Sequence, residues 1–271
     1  MRPVVLRLIS VLTLGLSGLP SIRRRLRYSL SWCVQGALRL RSRSYPVDQD
    51  TIALVFAPHQ DDETLGAGGL LILKRLEGMT VRIAYITDGS GSHPGHPTLH
   101  PDALATQRQE EACHAMRLLG VEQAGVCFLG IRDGTLAHLT PIAVQELVGK
   151  IAAVLQEVQP DEVFLPLGCD GSSEHDATFA FVRQAIERTG RRPRIFEFPI
   201  WASWNPLRLF RPLLASRIVW RVDYRDHAAL KRQAIAAYGS QTEPIAPWEK
   251  PMLSREFLSY FCTGAEYFFE R

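Results

Sequence analysis

The sequence has few cysteines and no pattern that would organise them. Its 271 residues include five cysteines, at positions 33, 113, 127, 169 and 262, and no two of them form a C-x-x-C pair. An odd number of scattered cysteines argues against a disulfide scaffold and against a structural zinc knot. We therefore expect free thiols in a reducing compartment and a cytoplasmic location.

Acidic residues are missing from the first 43 positions, which carry nine arginines, whereas the remainder has 22 basic and 28 acidic residues. The same segment lacks the ~20 apolar residues that a bilayer-spanning helix needs. Its apolar run, from Val4 to Leu19, contains Arg7 and stops at Pro20. A small-residue cleavage site is also missing, which argues against a signal peptide.

Apolar residues recur at helical spacing among the arginines of residues 21–43. They are Ile22, Leu26, Leu30, Cys33, Ala37 and Leu40. The pattern is typical of a helix lying on an anionic membrane surface, and the alternative is a helix packed against the domain with its arginines in solvent. Nucleic-acid binding is not expected, because aromatic residues are sparse there. We predict a basic amphipathic leader over residues 1–45 and one domain over residues 46–271.

Short apolar runs alternate with amphipathic stretches from residue 51 onward. The predicted strands are 51–57, 81–87, 125–130, 161–167 and 194–198, and the predicted helices are 64–78, 102–119, 141–157 and 176–189. The alternation predicts an α/β fold with a Rossmann-like, doubly wound, mostly parallel sheet and helices on both faces. The basic N-terminal helical segment precedes it. Because sites form where parallel strands end, the loops after the first four strands should converge.

A histidine and three consecutive acids follow the first of these strands, in APHQDDETLG at 57–66. Like charges at this spacing require a cation or protons to compensate them. His59 and Asp62 can face one point, and an imidazole nitrogen with a carboxylate oxygen suits Zn²⁺, another divalent metal being possible. His175, after the fourth strand, is the third predicted ligand. Two histidines and one carboxylate leave a position open for water, as in catalytic zinc sites.

The neighbours of Asp62 have other predicted roles. Asp61 faces the opposite side of the turn, where it can act as a general base. Glu63 is expected to steady the loop or the helix N-terminus behind the ligands. The alternative is a helix start enriched in acids because the macrodipole favours them. That alternative leaves His59, and the E-H-D sequence at 174–176, unexplained.

The segment PHQDDETLGAGG resembles the P-H-x-D-D-E signature of the LmbE-like, or PIG-L, family of N-acetylglucosaminyl deacetylases, which are Rossmann-like zinc hydrolases. The likeness runs from about residue 53 to residue 268 and includes AYITDG, RQEEACHAMRLLGV, FLGIRDGTL, EHD, KRQAIAAYGSQ and GAEYF. The resemblance implies zinc at the three ligands named above, with Asp61 as the general base. It also implies that Arg108 and Asp133 contact the sugar.

The resemblance breaks at residues 172–175, where this chain has S-S-E-H and family members often have H-x-D-H. Ser172 replaces a histidine that assists the oxyanion or the leaving group, and Glu174 replaces the aspartate that orients it. Both residues are expected to lie behind the metal ligands, as Glu63 does. Three outcomes stay open: Asp61 returns the proton to the amine, His93 or His96 supplies it, or the protein is slow or inactive.

We therefore expect a zinc-dependent hydrolase that removes the N-acetyl group from an N-acetylglucosamine-type amino sugar in a glycolipid or other glycoconjugate. The alternative is a catalytically impaired family member that binds carbohydrate or a membrane as an adaptor. Three tryptophans of the C-terminal third, Trp201, Trp204 and Trp248, either line a substrate groove or belong to the core.

Overall fold

The computed structural model of the protein describes residues 20–47 and 50–270, without the side chains of residues 20–29, 32 and 206. Its strands are β1 (Arg43–Ser44), β2 (Ala53–Ala57), β3 (Val81–Thr87), β4 (Val126–Ile131), β5 (Glu162–Pro166), β6 (Arg194–Phe198), β7 (Ile218–Asp223) and β8 (Ala265–Glu270). Its α-helices are α1 (Pro20–Arg41), α2 (Asp62–Leu76), α3 (Pro101–Leu118), α4 (Pro141–Val158), α5 (Ser173–Thr189), α6 (Trp201–Trp204), α7 (Phe210–Ala215), α8 (Ala228–Ala236), α9 (Gly239–Thr242) and α10 (Arg255–Ser259).

One sheet holds all eight strands in the order β1-β7-β8-β6-β5-β2-β3-β4. β8 is antiparallel to β6 and β7, and the other neighbours are parallel. From β2 the chain adds β3 and β4 on one side, and it then places β5 and β6 on the other. This confirms the predicted doubly wound, mostly parallel sheet, and it puts the switch point between β2 and β5.

Alternate side chains of the buried strand β2 enter two separate cores. Ala53, Val55 and Ala57 pack with α2, α3 and α8 on one face of the sheet. Leu54 and Phe56 pack with α4 and α5 on the other face. The period of two along the strand therefore explains why helices cover both faces.

The strands and helices predicted between residues 51 and 198 are confirmed to within a few residues, except that α2 starts at Asp62 and α5 at Ser173, two and three residues before their predicted starts. The last part of the sheet was not predicted. β7 and β8 form its antiparallel part, where Phe268 and Phe269 are fully buried.

The helix α1 packs against the domain through a face that coincides only in part with the predicted stripe. Val34 and Leu38 are each 1% exposed and belong to a small core with Leu209 and residues of α6 and β7, and Leu30 and Ala37 of the stripe are partly buried against that core. Two residues of the predicted stripe point away from this contact: Cys33 is exposed, and Leu40 is 91% exposed. The side chains at 22 and 26, and the apolar run at 4–19, lie outside the described residues. Among the helices that are described, none is both long and apolar enough to cross a bilayer.

Two buried ion pairs, here called the interior pairs, join distant parts of the domain. Lys231 Nζ lies 2.6 Å from Glu266 Oε1, and Lys74 Nζ lies 2.8 Å from Glu162 Oε2. Glu266 also accepts hydrogen bonds from two backbone N–H groups of α2, and Glu162 accepts one from the hydroxyl of Tyr45. Each buried acid therefore has a permanent cation and further donors, which is what such burial requires.

Candidate active site

A cavity of about 580 Å³ opens at the carboxyl ends of β2 and β5. The two strands are neighbours in the sheet, but α2 and α5, which follow them, pack on opposite faces. The connecting loops therefore part at the switch point and leave a crevice between them. Residues 58–61 lie in the first loop and residues 167–172 in the second.

The three predicted metal ligands meet in this crevice. His59 Nδ1 lies 3.2 Å from Asp62 Oδ2, and His175 Nε2 lies 3.4 Å from the same oxygen. One ligand atom from each residue lies within 4.8 Å of the others. His175 is fully buried, and its Nε2 has no hydrogen-bond partner in the described part of the chain. A buried imidazole nitrogen without a hydrogen-bond partner is suited to bind a metal ion.

A second group of possible ligands shares His59 with the first. His59 Nε2 lies 2.8 Å from Glu174 Oε2 and 3.2 Å from Asp133 Oδ1. Ligand atoms of these three residues also lie within 4.8 Å of one another. The imidazole thus faces two sets of carboxylates through its two nitrogens. The sequence analysis placed Glu174 behind the ligands and did not predict this second group.

The electrostatics of these residues favour positive charge at the histidines. Burial lowers the pKa of His175, but Asp62 and Asp170 outweigh it and raise the pKa to about 9. Burial likewise opposes protonation of His59, but hydrogen bonds with three carboxylates raise its pKa well above the ordinary value. The pKa of Asp62 is lowered, because the two imidazoles outweigh its burial. Without a metal, protons occupy the place that a cation would fill.

Asp61 stands beside this cluster in a strained backbone conformation. Its φ of 142° lies in the region that favours glycine, and such strain is commonly kept at functional positions. Its carboxylate lies 3.4 Å from the guanidinium of Arg108. Burial raises the pKa of Asp61 and Arg108 opposes the increase, with a net value of about 7. A carboxylate with that pKa can exchange a proton near neutral pH.

The two predicted sugar contacts, Arg108 and Asp133, both line the cavity. Arg108 is 2% exposed and donates to the carbonyl of Gln60, while its Nε has no hydrogen-bond partner among the described residues. Asp133 accepts a hydrogen bond of 3.0 Å from the backbone N–H of Gly91. Each side chain is therefore held by the protein and still faces the space where a ligand would lie.

Glu63 lies behind the cluster. It is fully buried and accepts hydrogen bonds from Thr64 and from the hydroxyl of Tyr238. It also accepts one, of 3.2 Å, from the backbone N–H of Asp61, which fixes the turn.

Ser172 lines the cavity at the start of α5 and makes no capping hydrogen bond. His93 and His96, the candidates to replace the missing histidine, are 7% and 9% exposed. Their rings lie 5.5 Å and 5.0 Å from that of Trp248, and neither residue lines the cavity. His93 nevertheless lies close enough to Arg108 for the guanidinium, after burial and His96, to help lower its pKa.

Asp170 has a role that the sequence analysis did not assign. It is fully buried, and its Oδ2 lies 2.8 Å from His175 Nδ1. It also accepts hydrogen bonds from the backbone N–H groups of Ile200, Trp201 and Ala202, at 2.9 to 3.0 Å. A carboxylate in this place orients the imidazole. In the sequence, the only signal for this role of Asp170 was its position five residues before His175.

The fold and the cluster define a doubly wound α/β protein with a candidate metal centre at the switch point of its sheet. Residues 54–186 match the model of the PIG-L family, which is described as GlcNAc-PI de-N-acetylase. This match, over just under half of the chain, agrees with the resemblance to the PIG-L, or LmbE-like, family that the signature indicated.

Two curated relatives and one solved structure illustrate the similarity. The probable N-acetyl-alpha-D-glucosaminyl L-malate deacetylase 2 of Bacillus subtilis is 28% identical over 196 residues, which are 70% of this chain and 83% of that protein. The 1D-myo-inositol 2-acetamido-2-deoxy-alpha-D-glucopyranoside deacetylase of Mycobacteroides abscessus is 28% identical over 178 residues, 58% of each chain. N,N'-diacetylchitobiose deacetylase from Pyrococcus horikoshii shares the fold, with a TM-score of 0.58, 21% identity and coverage of 84% of this chain and 82% of its own.

Proposed function

We propose that the protein hydrolyses the N-acetyl group of an N-acetylglucosamine-type amino sugar that is part of a glycolipid or other glycoconjugate. The family and the named activities of the relatives support the reaction class. The observation that carries the proposal is the meeting of His59, Asp62 and His175 around one point beside Asp61, in a cavity large enough for a sugar.

A divalent metal, with zinc as the first choice, fits these three residues. Two imidazoles and one carboxylate suit zinc and leave one coordination position open. When bound, the metal supplies Lewis acidity toward a carbonyl oxygen and lowers the pKa of water. Asp170 would hold the ring of His175 for this purpose through its contact at Nδ1.

Asp61 is the proposed proton carrier. As the oxygen of water joins the acetyl carbon, Asp61 accepts its proton. As the C–N bond breaks, the same carboxyl group returns that proton to the nitrogen, so that a free amine and acetic acid leave, and the acid then ionises to acetate in solution. Asp61 is preferred for the second step because His93 and His96 do not line the cavity. Its pKa of about 7 suits both directions of transfer.

Arg108 and Asp133 are the proposed sugar contacts. The guanidinium of Arg108 can donate to a sugar or acyl oxygen, and Asp133 can accept from a sugar hydroxyl, since both residues line the cavity. Arg108 also positions Asp61 through their contact of 3.4 Å. Glu174 is proposed to orient His59, because its two oxygens face the imidazole and the backbone N–H of Leu136.

The experiment is a comparison of amine release from methyl 2-acetamido-2-deoxyglucoside by the wild type and by Asp61→Asn. We expect the variant to be slower by about 10²- to 10⁴-fold, the usual contribution of general acid–base catalysis. Asp102→Asn is the matched control, since that side chain is 83% exposed at the start of α3. Equal rates for the wild type and Asp61→Asn would show that the assigned mechanism is wrong.

A second candidate function rests on Ser172. If the lost histidine has no substitute, the protein binds an amino-sugar conjugate without cleaving it and acts as an adaptor. Wild-type protein with one zinc per chain that releases no amine, yet binds the methyl glycoside in calorimetry, would favour this function.

Attachment of residues 1–43 to an anionic membrane surface stays a prediction, as does the division of the chain at residue 45. The nine arginines of the segment favour attachment. Val34 and Leu38 of α1 are already covered by the domain, so electrostatic attraction would have to contribute most of the binding. Flotation of the full-length protein with phosphatidylserine vesicles at low and high salt tests this. Binding at low salt that high salt removes is expected, and no binding at low salt would contradict it.

A further inference from the structure

The lining of the cavity is chemically mixed. Besides the ionisable cluster it includes five apolar residues from the last third of the chain, which we call the apolar wall: Ile200, Trp201, Met252, Leu253 and Phe257. They come from the segment after β6 and from the segment that leads into α10. Neither segment belongs to the region matched by the family model.

Two members of the apolar wall remain partly in solvent. Trp201 is 40% exposed and Met252 is 39% exposed, and both rank among the few large apolar side chains exposed in the described part of the chain. Two such residues in one cavity form a surface from which a ligand can displace water.

The wall is held in place by the protein itself. The ring of Phe257 lies 5.0 Å from Trp201, 5.7 Å from Trp204 and 5.1 Å from Phe261. The backbone of residues 200–202 is fixed by Asp170, whose other contact is His175. The wall therefore keeps a set position relative to the cluster, and a ligand pays little entropy to order it.

The chemistry of the wall selects its occupant. A second sugar could stack on the face of Trp201, but its several hydroxyl groups would find only one strong side-chain donor in the wall, the indole N–H of that residue, which is unfavourable. An alkyl chain has no hydrogen bonds to lose on the same contact, and its transfer from water to an apolar surface is favourable. We propose that the apolar wall binds an alkyl chain attached to the amino sugar, so that the substrate is an N-acetylated amino sugar with an apolar aglycone. This inference rests on the proposed function.

The test compares hexyl and methyl 2-acetamido-2-deoxyglucosides, both used below any micelle-forming concentration. One buried methylene is worth roughly fourfold in affinity, so partial burial of the hexyl chain should raise kcat/KM at least about tenfold over the methyl compound. A ratio near one would overturn the inference. A larger gain with N,N'-diacetylchitobiose than with the hexyl glycoside would also overturn it, because the wall would then favour a sugar.

Three variants link the preference to the wall. Trp201→Ala and Met252→Ser should each reduce the hexyl-to-methyl ratio, and Met252→Ser serves alone if the tryptophan variant does not fold. Ile142→Ala, at a 73% exposed residue of α4 outside the cavity, should keep the wild-type ratio. An unchanged ratio in whichever of the two variants folds would contradict the inference.

Calorimetry separates this inference from the proposed function. If the methyl glycoside is deacetylated but the hexyl glycoside is neither bound nor cleaved better, the inference fails and the proposed function stands. If neither glycoside is cleaved but the hexyl compound binds at least about tenfold more tightly to the wild type than to Trp201→Ala, the inference stands and the proposed function fails.

Discussion

The rim of the cavity and the interior pairs both bury carboxylates, but they compensate them differently. Glu266 and Glu162 each face a buried lysine, and backbone or hydroxyl donors fill their remaining positions. The rim has four carboxylates, those of Asp61, Asp62, Asp133 and Glu174. Among the described residues, one permanent cation, Arg108, and two titratable histidines compensate their charge. The charges of the interior pairs are compensated without any ligand, whereas the carboxylates of the rim require protons or a metal to compensate their charge.

This difference distinguishes buried charge that supports the fold from buried charge that supports chemistry. Removing one partner of an interior pair should damage stability without affecting metal binding. Removing a metal ligand at the rim should abolish metal binding with little effect on stability, because the remaining carboxylates still have protonated histidine or water available.

The largest expected effect is that of His175→Ala on metal content. The wild type should hold about one zinc per chain after dialysis, and the variant should hold almost none. A zinc site with three protein ligands binds the metal much more weakly when one of them is removed. Plasma emission spectrometry measures the ratio, and His114→Ala, at an exposed residue of α3, is the control. Full zinc retention in His175→Ala would mean that the metal binds elsewhere.

The second effect concerns the interior. Glu266→Ala leaves Lys231 buried and unpaired, and it should lower the free energy of unfolding by about 3 to 5 kcal/mol. Denaturant unfolding of the metal-free protein measures it. Asp223→Ala, which breaks the exposed pair with Arg225, should change stability far less.

The double variant Lys231→Met with Glu266→Gln should recover part of this stability, since no unpaired charge remains. The folded fraction of Glu266→Ala should still bind zinc. Loss of zinc binding from protein that is demonstrably folded would erase the distinction between the two regions.

A third, smaller effect is expected from Asp170→Asn. The carboxylate contacts His175 at Nδ1, so its loss should weaken zinc binding by about 10- to 100-fold while the ligands themselves remain. Competition with a chelator measures the affinity. Asp176→Asn, three residues into α5, is a useful control because its carboxylate accepts from the backbone N–H of Asp170 and does not contact the ring.

The smallest effect, counted per pH unit, is that of pH on zinc affinity. The pKa of His175 is raised to about 9 and that of His59 is also raised, so at neutral pH the metal must displace protons. Zinc affinity should therefore rise with pH between 6 and 9, by about tenfold per pH unit for each proton displaced. An affinity that falls or stays constant over this range would contradict the assigned ligands.

The interior pairs should not respond to pH over the same range. Burial lowers the pKa of Lys231, but Glu266 outweighs it and raises the pKa above the ordinary value. The stability from a raised lysine pKa is fully present below the unfolded pKa and is lost only as pH rises through the folded one. Denaturation midpoints of the metal-free Lys231→Met, Glu266→Gln variant and the wild type should thus differ by the same amount at pH 6 and pH 9.

Much of the fold followed from the sequence, because buried parallel strands and amphipathic helices have distinct periods. The signature at residues 57–66 and the topology were enough to predict that His59 and His175 meet across the switch point. The antiparallel strand β8 was missed, since inserting it between β6 and β7 depends on contacts far apart in sequence. The buried face of α1 was predicted only in part, because Leu30 and Ala37 do pack against the domain, whereas Leu40 fits the helical period but has no surface to cover it.

The finer features of the site depend on side-chain directions that spacing does not fix. Asp170 precedes His175 by five residues, and only the loop geometry brings its carboxylate to Nδ1. The same holds for Glu174, whose contact with His59 creates the second group of possible ligands. The apolar wall joins residues about fifty positions apart, which no local pattern reveals.

The most direct test of the central claim is an anomalous difference map, recorded at the zinc absorption edge, from crystals of the zinc-loaded protein. The account predicts one peak at about 2.0 to 2.2 Å from a nitrogen of His59, an oxygen of Asp62 and Nε2 of His175. A peak held instead by Asp133 and Glu174, with the ring of His175 outside bonding distance, would contradict it.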